Sequence, residues 1–142
     1  MNRVELSLAA DTQMLFLARM TGAAVAVRAD FDYEQVEDLR LAIDELCVQL
    51  MGHSTGLGRI TLLFQWDDTV LDVVGTWTGE DAPSSNASTE SSDTATKPSP
   101  VSGLSYELSE RILEALVDDY GSDAIGGGHR AWLRMKRREP LG

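Results

Sequence analysis

The chain has 142 residues and a formal charge of −11, enough length for one self-sufficient core and too little for a second domain. That charge argues against nucleic acid or anionic lipid as the main partner, because both recruit Lys and Arg, and it favours a partner with a basic surface. One cysteine, Cys47, excludes an internal disulfide, and two isolated histidines, His53 and His129, supply no metal-ligand spacing.

VELSL (4–8) alternates apolar and polar residues and predicts a strand. The long mixed apolar stretch after it, up to Ala29, predicts a helix with Asp11 as its N-cap. A second start signal follows at Asp32, with Gln35 three residues on as a capping-box partner. Val36, Leu39, Ile43, Leu46, Cys47 and Leu50 then recur at helical spacing, and Gly52 is the expected stop. RITLLFQW (59–66) and VLDVVGTW (70–77) are β-rich runs joined by Asp67-Asp68-Thr69, a hairpin pattern.

EDAPSSNASTESSDTATKPSP (80–100) has three alanines as its only apolar residues. Such a segment cannot offset its own ordering entropy, so a disordered, lid-like loop is expected over 80–101. Leu104, Leu108, Ile112 and Leu116 mark a third helix. Residues 118–123 and HRAWLRMKR (129–137), joined by Ile125-Gly126-Gly127-Gly128, predict two final strands. No internal repeat is present. The order β, α, α, β, β, loop, α, β, β predicts an α/β two-layer sandwich, with helices on a mixed, largely antiparallel sheet. No apolar run approaches a membrane span, and MNRVELSLAAD lacks the apolar block of a signal peptide, so a cytoplasmic protein without membrane contact is expected.

DLRLAIDELCVQLMGH (38–53) resembles the first nucleotide-binding box of the anti-sigma factor serine-protein kinases of bacteria. Within that family the run is most similar to the actinobacterial, mycobacterial type of anti-sigma-F factor. The resemblance covers all but the lid and implies the ATP-binding fold of histidine kinases, gyrase and the Hsp90 chaperone. It implies that Glu45 is the catalytic base or water organiser. It also implies that Gln49, where the family has asparagine, binds the Mg²⁺ that holds the phosphates of ATP. Glutamine keeps the carbonyl oxygen but sets it one methylene farther out, and Mg²⁺ tolerates little deviation from octahedral geometry. His53 matches a histidine frequent in the family.

The second box departs further. TWTGED (76–81) stands where the family has D-x-G-x-G, whose aspartate binds the adenine amino group. Trp77 replaces that aspartate, Gly79 matches the first glycine, and Asp81 replaces the second. Tryptophan is a donor without an acceptor, so it cannot replace a carboxylate there. In SGLSYEL (102–108), Gly103 is retained and Ser105 replaces the second glycine of the box expected at the start of the third helix. The implied ATP-binding residues are therefore Gln49, Gly79 and Gly103. The lid carries one basic residue, Lys97, to clamp a triphosphate.

The residues taken by themselves support plainer roles. Asp38, Glu45 and Gln49 line up as the solvated side of a helix. Cys47 is a small core residue, His53 a helix C-cap, and Trp77 a filler of core or pocket. The 126–128 glycines form a β-turn, and RMKRRE (134–139) protects a strand edge by charge. Arg19 is an ordinary surface arginine; the resemblance makes it a partner contact, because the first helix of the family meets sigma and the anti-anti-sigma protein. The function implied is an anti-sigma factor. It would sequester an alternative, stress- or stationary-phase sigma factor, be countered by an anti-anti-sigma (STAS-type) protein, and form a homodimer. The alternative is an active ATP-dependent serine kinase that phosphorylates the anti-anti-sigma protein.

Overall fold

A computed structural model of the chain describes residues 1–52, 58–79, 100–126 and 128–138, with side chains omitted for 100–106. The elements are β1 (Asn2–Ala9), a 3-10 turn (Thr12–Met14), α1 (Leu15–Arg28), α2 (Tyr33–Met51), β2 (Arg59–Trp66), β3 (Val70–Thr78), α3 (Pro100–Leu116), β4 (Asp119–Ile125) and β5 (Gly128–Lys136). Five strands form one sheet in the order β1-β2-β3-β5-β4. All four pairings are antiparallel, so the sheet expected to be largely antiparallel is so throughout.

Alternation along the strands places Ile60, Leu62 and Phe64 of β2, Leu71 and Val73 of β3, and Ala131, Leu133 and Met135 of β5 under the helices. Leu39, Ile43, Leu46 and Leu50 of α2 close over them from above, each fully buried. The other face of the sheet is mixed, with Leu63, Val74 and Trp132 side by side in register among charged residues. Arg134 makes a two-pronged pair with Asp72 at 2.7 and 3.0 Å. Because β5 lies between β3 and β4, its basic residues are not the edge protection expected of RMKRRE.

Two caps fix the helical hairpin. Asp32 accepts the Gln35 N–H at 2.8 Å, as expected of an N-cap. The Gln35 side chain does not complete the box. It is buried and holds the C-terminal segment instead, donating to the Lys136 carbonyl at 2.8 Å and accepting the Arg138 N–H at 3.2 Å. α1 ends in a Schellman turn: the Phe31 N–H reaches the Ala26 carbonyl and the Asp30 N–H the Val27 carbonyl, both at 3.0 Å. Asp30 takes the required left-handed conformation, φ 67°. Gly22 lets α1 lie against α2, since a Cβ there would run into Ile43.

Several expectations need correction. Asp11 caps the 3-10 turn, accepting from the Gln13 N–H at 3.0 Å, and α1 proper begins at Leu15. α3 starts at Pro100, inside the expected loop, and is turned so that Ser109 and Leu113 face inward. Leu108, expected on the core stripe, is 59% exposed. The remainder of the expected lid (80–99), His53 and Gly127 lie outside the described residues.

Candidate functional site

The last two turns of α2 are held low over β3 by Gly75. A Cβ there would lie 2.7 Å from the Leu50 Cδ1 and 2.9 Å from the Leu62 Cδ2. This approach brings Gln49 down onto the end of the sheet. Gln49 is 4% exposed and donates through Nε2 to the Ser109 hydroxyl at 3.4 Å. That hydroxyl in turn donates to the Glu45 carbonyl oxygen at 3.3 Å. Gln49 is therefore not part of a solvated face, contrary to the plainer reading, because α3 covers the side of α2 that carries it. Asp38 is half-buried on the same flank. Its carboxyl is pushed up chiefly by burial, then by Glu34, against the pull of Arg138.

Glu45, one turn before Gln49, is half-buried, and its carboxylate makes no hydrogen bond or ion pair among the described residues. Beside Gln49 a cleft of about 320 Å³ opens between the end of α2 and the β4–β5 hairpin, with Leu50, Ser122, His129 and Arg130 on its walls. Arg130 is anchored by Asp123 at 2.9 and 3.2 Å.

Trp77 sits at the far end of β3 on the helix side of the sheet, in register between Ile60 and His129. Its ring lies 5.8 Å from the His129 ring, tilted by 30°. The indole N–H is buried and meets no acceptor among the described residues. Gly58, at φ 145°, and Gly79 border the ring: a Cβ would come 2.6 Å from Nε1 in the first case and 3.3 Å from the six-membered ring in the second. Trp77 thus fills space beside the cleft, as its sequence position suggests.

The remaining candidates lie apart. Gly103 falls within the first turn of α3, not before it. In a helix starting at Pro100 its N–H is among the unbonded ones, whereas that of Ser105 is positioned for the carbonyl four residues back. Arg19 is on α1, where it pairs with Asp44 of α2 at 2.8 Å. Cys47 is fully buried, and burial above all, with Asp44 adding to it and Arg19 opposing, pushes its thiol up to about 12, which makes it an inert core residue.

ATP and Mg²⁺, implied by the resemblance, can be tested against these residues. The adenine end does not fit: an orphaned indole donor stands where an acceptor is needed, and the ring takes up the space. At the metal end stand the Gln49 amide and, one turn earlier on α2, the Glu45 carboxylate, which has no partner among the described residues. Among the described residues no group of three His, Cys, Asp or Glu could hold a metal ion.

Sequence reasoning missed Ser109, Asp44 and His129, and an apolar ridge. Phe16, Met20 and Val27 of α1 and Leu41 and Val48 of α2 are 42% to 63% exposed. The helical spacing of 16, 20 and 27, opposite the core stripe, was the signal available.

A sheet of five antiparallel strands carrying helices, with Glu45 and Gln49 at the end of the central helix, is the histidine-kinase, gyrase and Hsp90 type of ATPase fold. No family model matches the chain. It is 30% identical over 74 residues to the "Serine-protein kinase RsbW" of Bacillus cereus (strain B4264), covering 51% of this chain and 46% of that protein. The protein of the same name from Bacillus mycoides (strain KBAB4) matches to the same extent. That of Bacillus thuringiensis (strain Al Hakam) is 28% identical over 74 residues. The chain thus spans about half the length of the curated relatives it matches. Over about half of the chain, these relatives support the resemblance to the RsbW-like anti-sigma factor and serine-kinase family.

Proposed function

We propose that this chain is a cytoplasmic anti-sigma factor that holds an alternative sigma factor in an inactive complex and yields it when an anti-anti-sigma protein competes. The observation that carries this reading is the apolar ridge on the α1–α2 hairpin. Phe16, Met20, Val27, Leu41 and Val48 face solvent around the Arg19–Asp44 pair. Apolar side chains grouped on one helical surface mark a protein-binding site, and an arginine among them supplies the anchor such sites favour. Release needs no chemistry, because two partners competing for one surface redistribute by mass action. A homodimer is part of the reading, as are Arg19 as a contact and Glu45, Gln49, Gly79 and Gly103 as the inherited site.

The test is reconstitution without nucleotide. The purified chain is mixed with alternative sigma factors of its host and followed by size-exclusion chromatography with light scattering, then challenged with candidate anti-anti-sigma proteins. A sigma complex that the competitor dissolves is the expected result. Absence of a complex with every host sigma factor would overturn the reading.

One observation favours a second reading, serine-kinase activity: the half-buried Glu45 carboxylate, unpaired among the described residues, is placed to take a proton from an acceptor serine. Phosphate transfer to an anti-anti-sigma protein, abolished in Glu45→Ala, would support it. No transfer from the wild type at high Mg²⁺ would retire it.

A further inference from the structure

We propose that Trp77 is a built-in plug that determines specificity: its indole occupies a slot shaped for a planar fused ring, and this occupancy keeps purine nucleotides out of the adjoining cleft. The inference rests on the reading of the cleft as an inherited nucleotide site, and four observations carry it.

First, Trp77 points to the helix side of the sheet, and its neighbour in register, His129, lines the cleft that Gln49 closes from above. Slot and cleft are therefore separated by one imidazole ring, 5.8 Å from the indole. Second, the slot is walled by backbone. Gly58 and Gly79 flank the indole so closely that a Cβ at Gly58 would come within 2.6 Å of its nitrogen. Third, Gly128 is pressed against the Trp77 carbonyl, which fixes the strand that carries the ring. Fourth, the indole N–H is buried without an acceptor among the described residues. Core tryptophans ordinarily find a partner for that group, and an unmet buried donor is a cost that a core-filling role does not explain.

Indole and purine are both planar bicycles of nine ring atoms. The two rings are equally thick, so a space that holds the indole against Gly58 and Gly79 also suits a purine. A purine brings ring nitrogens that accept hydrogen bonds, whereas the indole presents only a donor. Removing the side chain vacates a flat space beside His129, whose ring borders the cleft. Cavities of this kind in packed proteins take up ring-shaped ligands.

The experiment uses the full chain as wild type, Trp77→Ala, and Trp132→Ala as a control. Trp132 is a tryptophan on the opposite face of the sheet, where the register pairs it with Val74 and Gly121. Adenosine is the probe, titrated by calorimetry without metal and checked by the shift in melting temperature. We expect Trp77→Ala to bind adenosine at least tenfold more tightly than the wild type, with Trp132→Ala unchanged. Wild type binding adenosine as tightly as Trp77→Ala, a folded Trp77→Ala that gains nothing, or an equal gain in Trp132→Ala would overturn the proposal. Should Trp77→Ala not fold, Trp77→Leu keeps apolar filling beside the strand, leaves the outer ring space open, and is read the same way. Sigma capture is measured on the same samples. A plug that fails while wild-type capture persists sinks this inference alone, and loss of capture by wild type sinks the binding function alone.

Discussion

Replacing Arg19 by alanine separates a stabilising role from a binding role. The Arg19 and Asp44 side chains are 35% and 34% exposed, with nitrogen and oxygen 2.8 Å apart. Two unit charges at that distance attract by about 1.5 kcal/mol at the dielectric of water. Ordering two side chains and removing part of their hydration reduces the net worth of such a pair to about 0.5–1 kcal/mol. Arg19→Ala leaves Asp44 one-third exposed and able to rehydrate, so no stranded charge adds to the loss. The expected drop in melting temperature is below about 4 °C for a chain of this size. An arginine anchoring a protein interface is worth about 2 kcal/mol or more on truncation, a loss of about 30-fold in affinity. Thermal unfolding of the variant, and its titration against the sigma factor, measure the two quantities independently. Asp44→Asn is the companion: it frees Arg19 and should leave affinity intact where the partner supplies the carboxylate. A variant Arg19→Ala that binds like wild type, or one that loses more than about 3 kcal/mol of stability, would refute the reasoning.

Further outcomes follow from packing and titration. Gly22→Ala drives a methyl group into the fully buried Ile43, with Phe64 3.7 Å away, and should cost about 1–3 kcal/mol in urea unfolding; a neutral substitution would mean that α1 does not lie this close to α2. Cys47, with its thiol pushed up to about 12, should resist alkylation in the native protein and react on denaturation; labelling of the folded chain at the rate of a free thiol would contradict the burial. The Asp67 carboxyl is held below the ordinary range by the backbone N–H groups of Thr69 and Val70. A depressed carboxylate contributes stability above its unfolded pKa and loses it as pH falls through the folded value. Asp67→Ala should therefore be destabilised near neutrality and converge on the wild type in acid. Parallel melting curves at every pH would disprove the assignment. Asp38 has the opposite sign: with its pKa raised, Asp38→Asn should gain stability relative to wild type as pH rises above the carboxylate range, and NMR titration of the wild-type carboxyl checks the direction.

The parts of the fold legible in the sequence are those fixed by local chemistry. Asp32 caps α2 because its carboxylate reaches an amide three residues on, and the α2 stripe repeats at 3.6 residues whatever lies beneath it. Burial of Gln49 was not legible. It depends on Ser109, sixty residues later, and on α3 lying against that flank of α2. The same docking turned α3 by about one position, exposing Leu108 and burying Ser109 where an apolar stripe alone suggested the reverse. Gln35 was recognised as a capping residue from spacing, yet its amide is used by the strand end at Lys136 and Arg138, a contact that no local pattern encodes. At the site, Trp77 could be placed from its position in TWTGED. The three glycines packed around it, Gly58, Gly79 and Gly128, come from separate parts of the chain.

The distribution of the core explains how such a site can change while the fold does not. Leu39, Ile43, Leu46 and Leu50 face the sheet and are fully buried. Burying each contributes about 1.5–3 kcal/mol by transfer from water. Glu45 projects from another side of the same helix, and its carboxylate holds nothing in place among the described residues. At position 77 the physics pushes one way. A carboxylate pointing inward from β3, beside Ile60 and His129, would be a buried charge that needs a donor from a ligand or from its surroundings. On the reading that no ligand has to be held, an aromatic ring fills the same space and removes that charge, leaving one N–H unmet among the described residues. The apolar ridge and Arg19 lie on the outer face of the helical hairpin and are indifferent to that exchange. On the proposed function, a protein gripped by one partner or another can keep the framework and its docking face even where the nucleotide end closes.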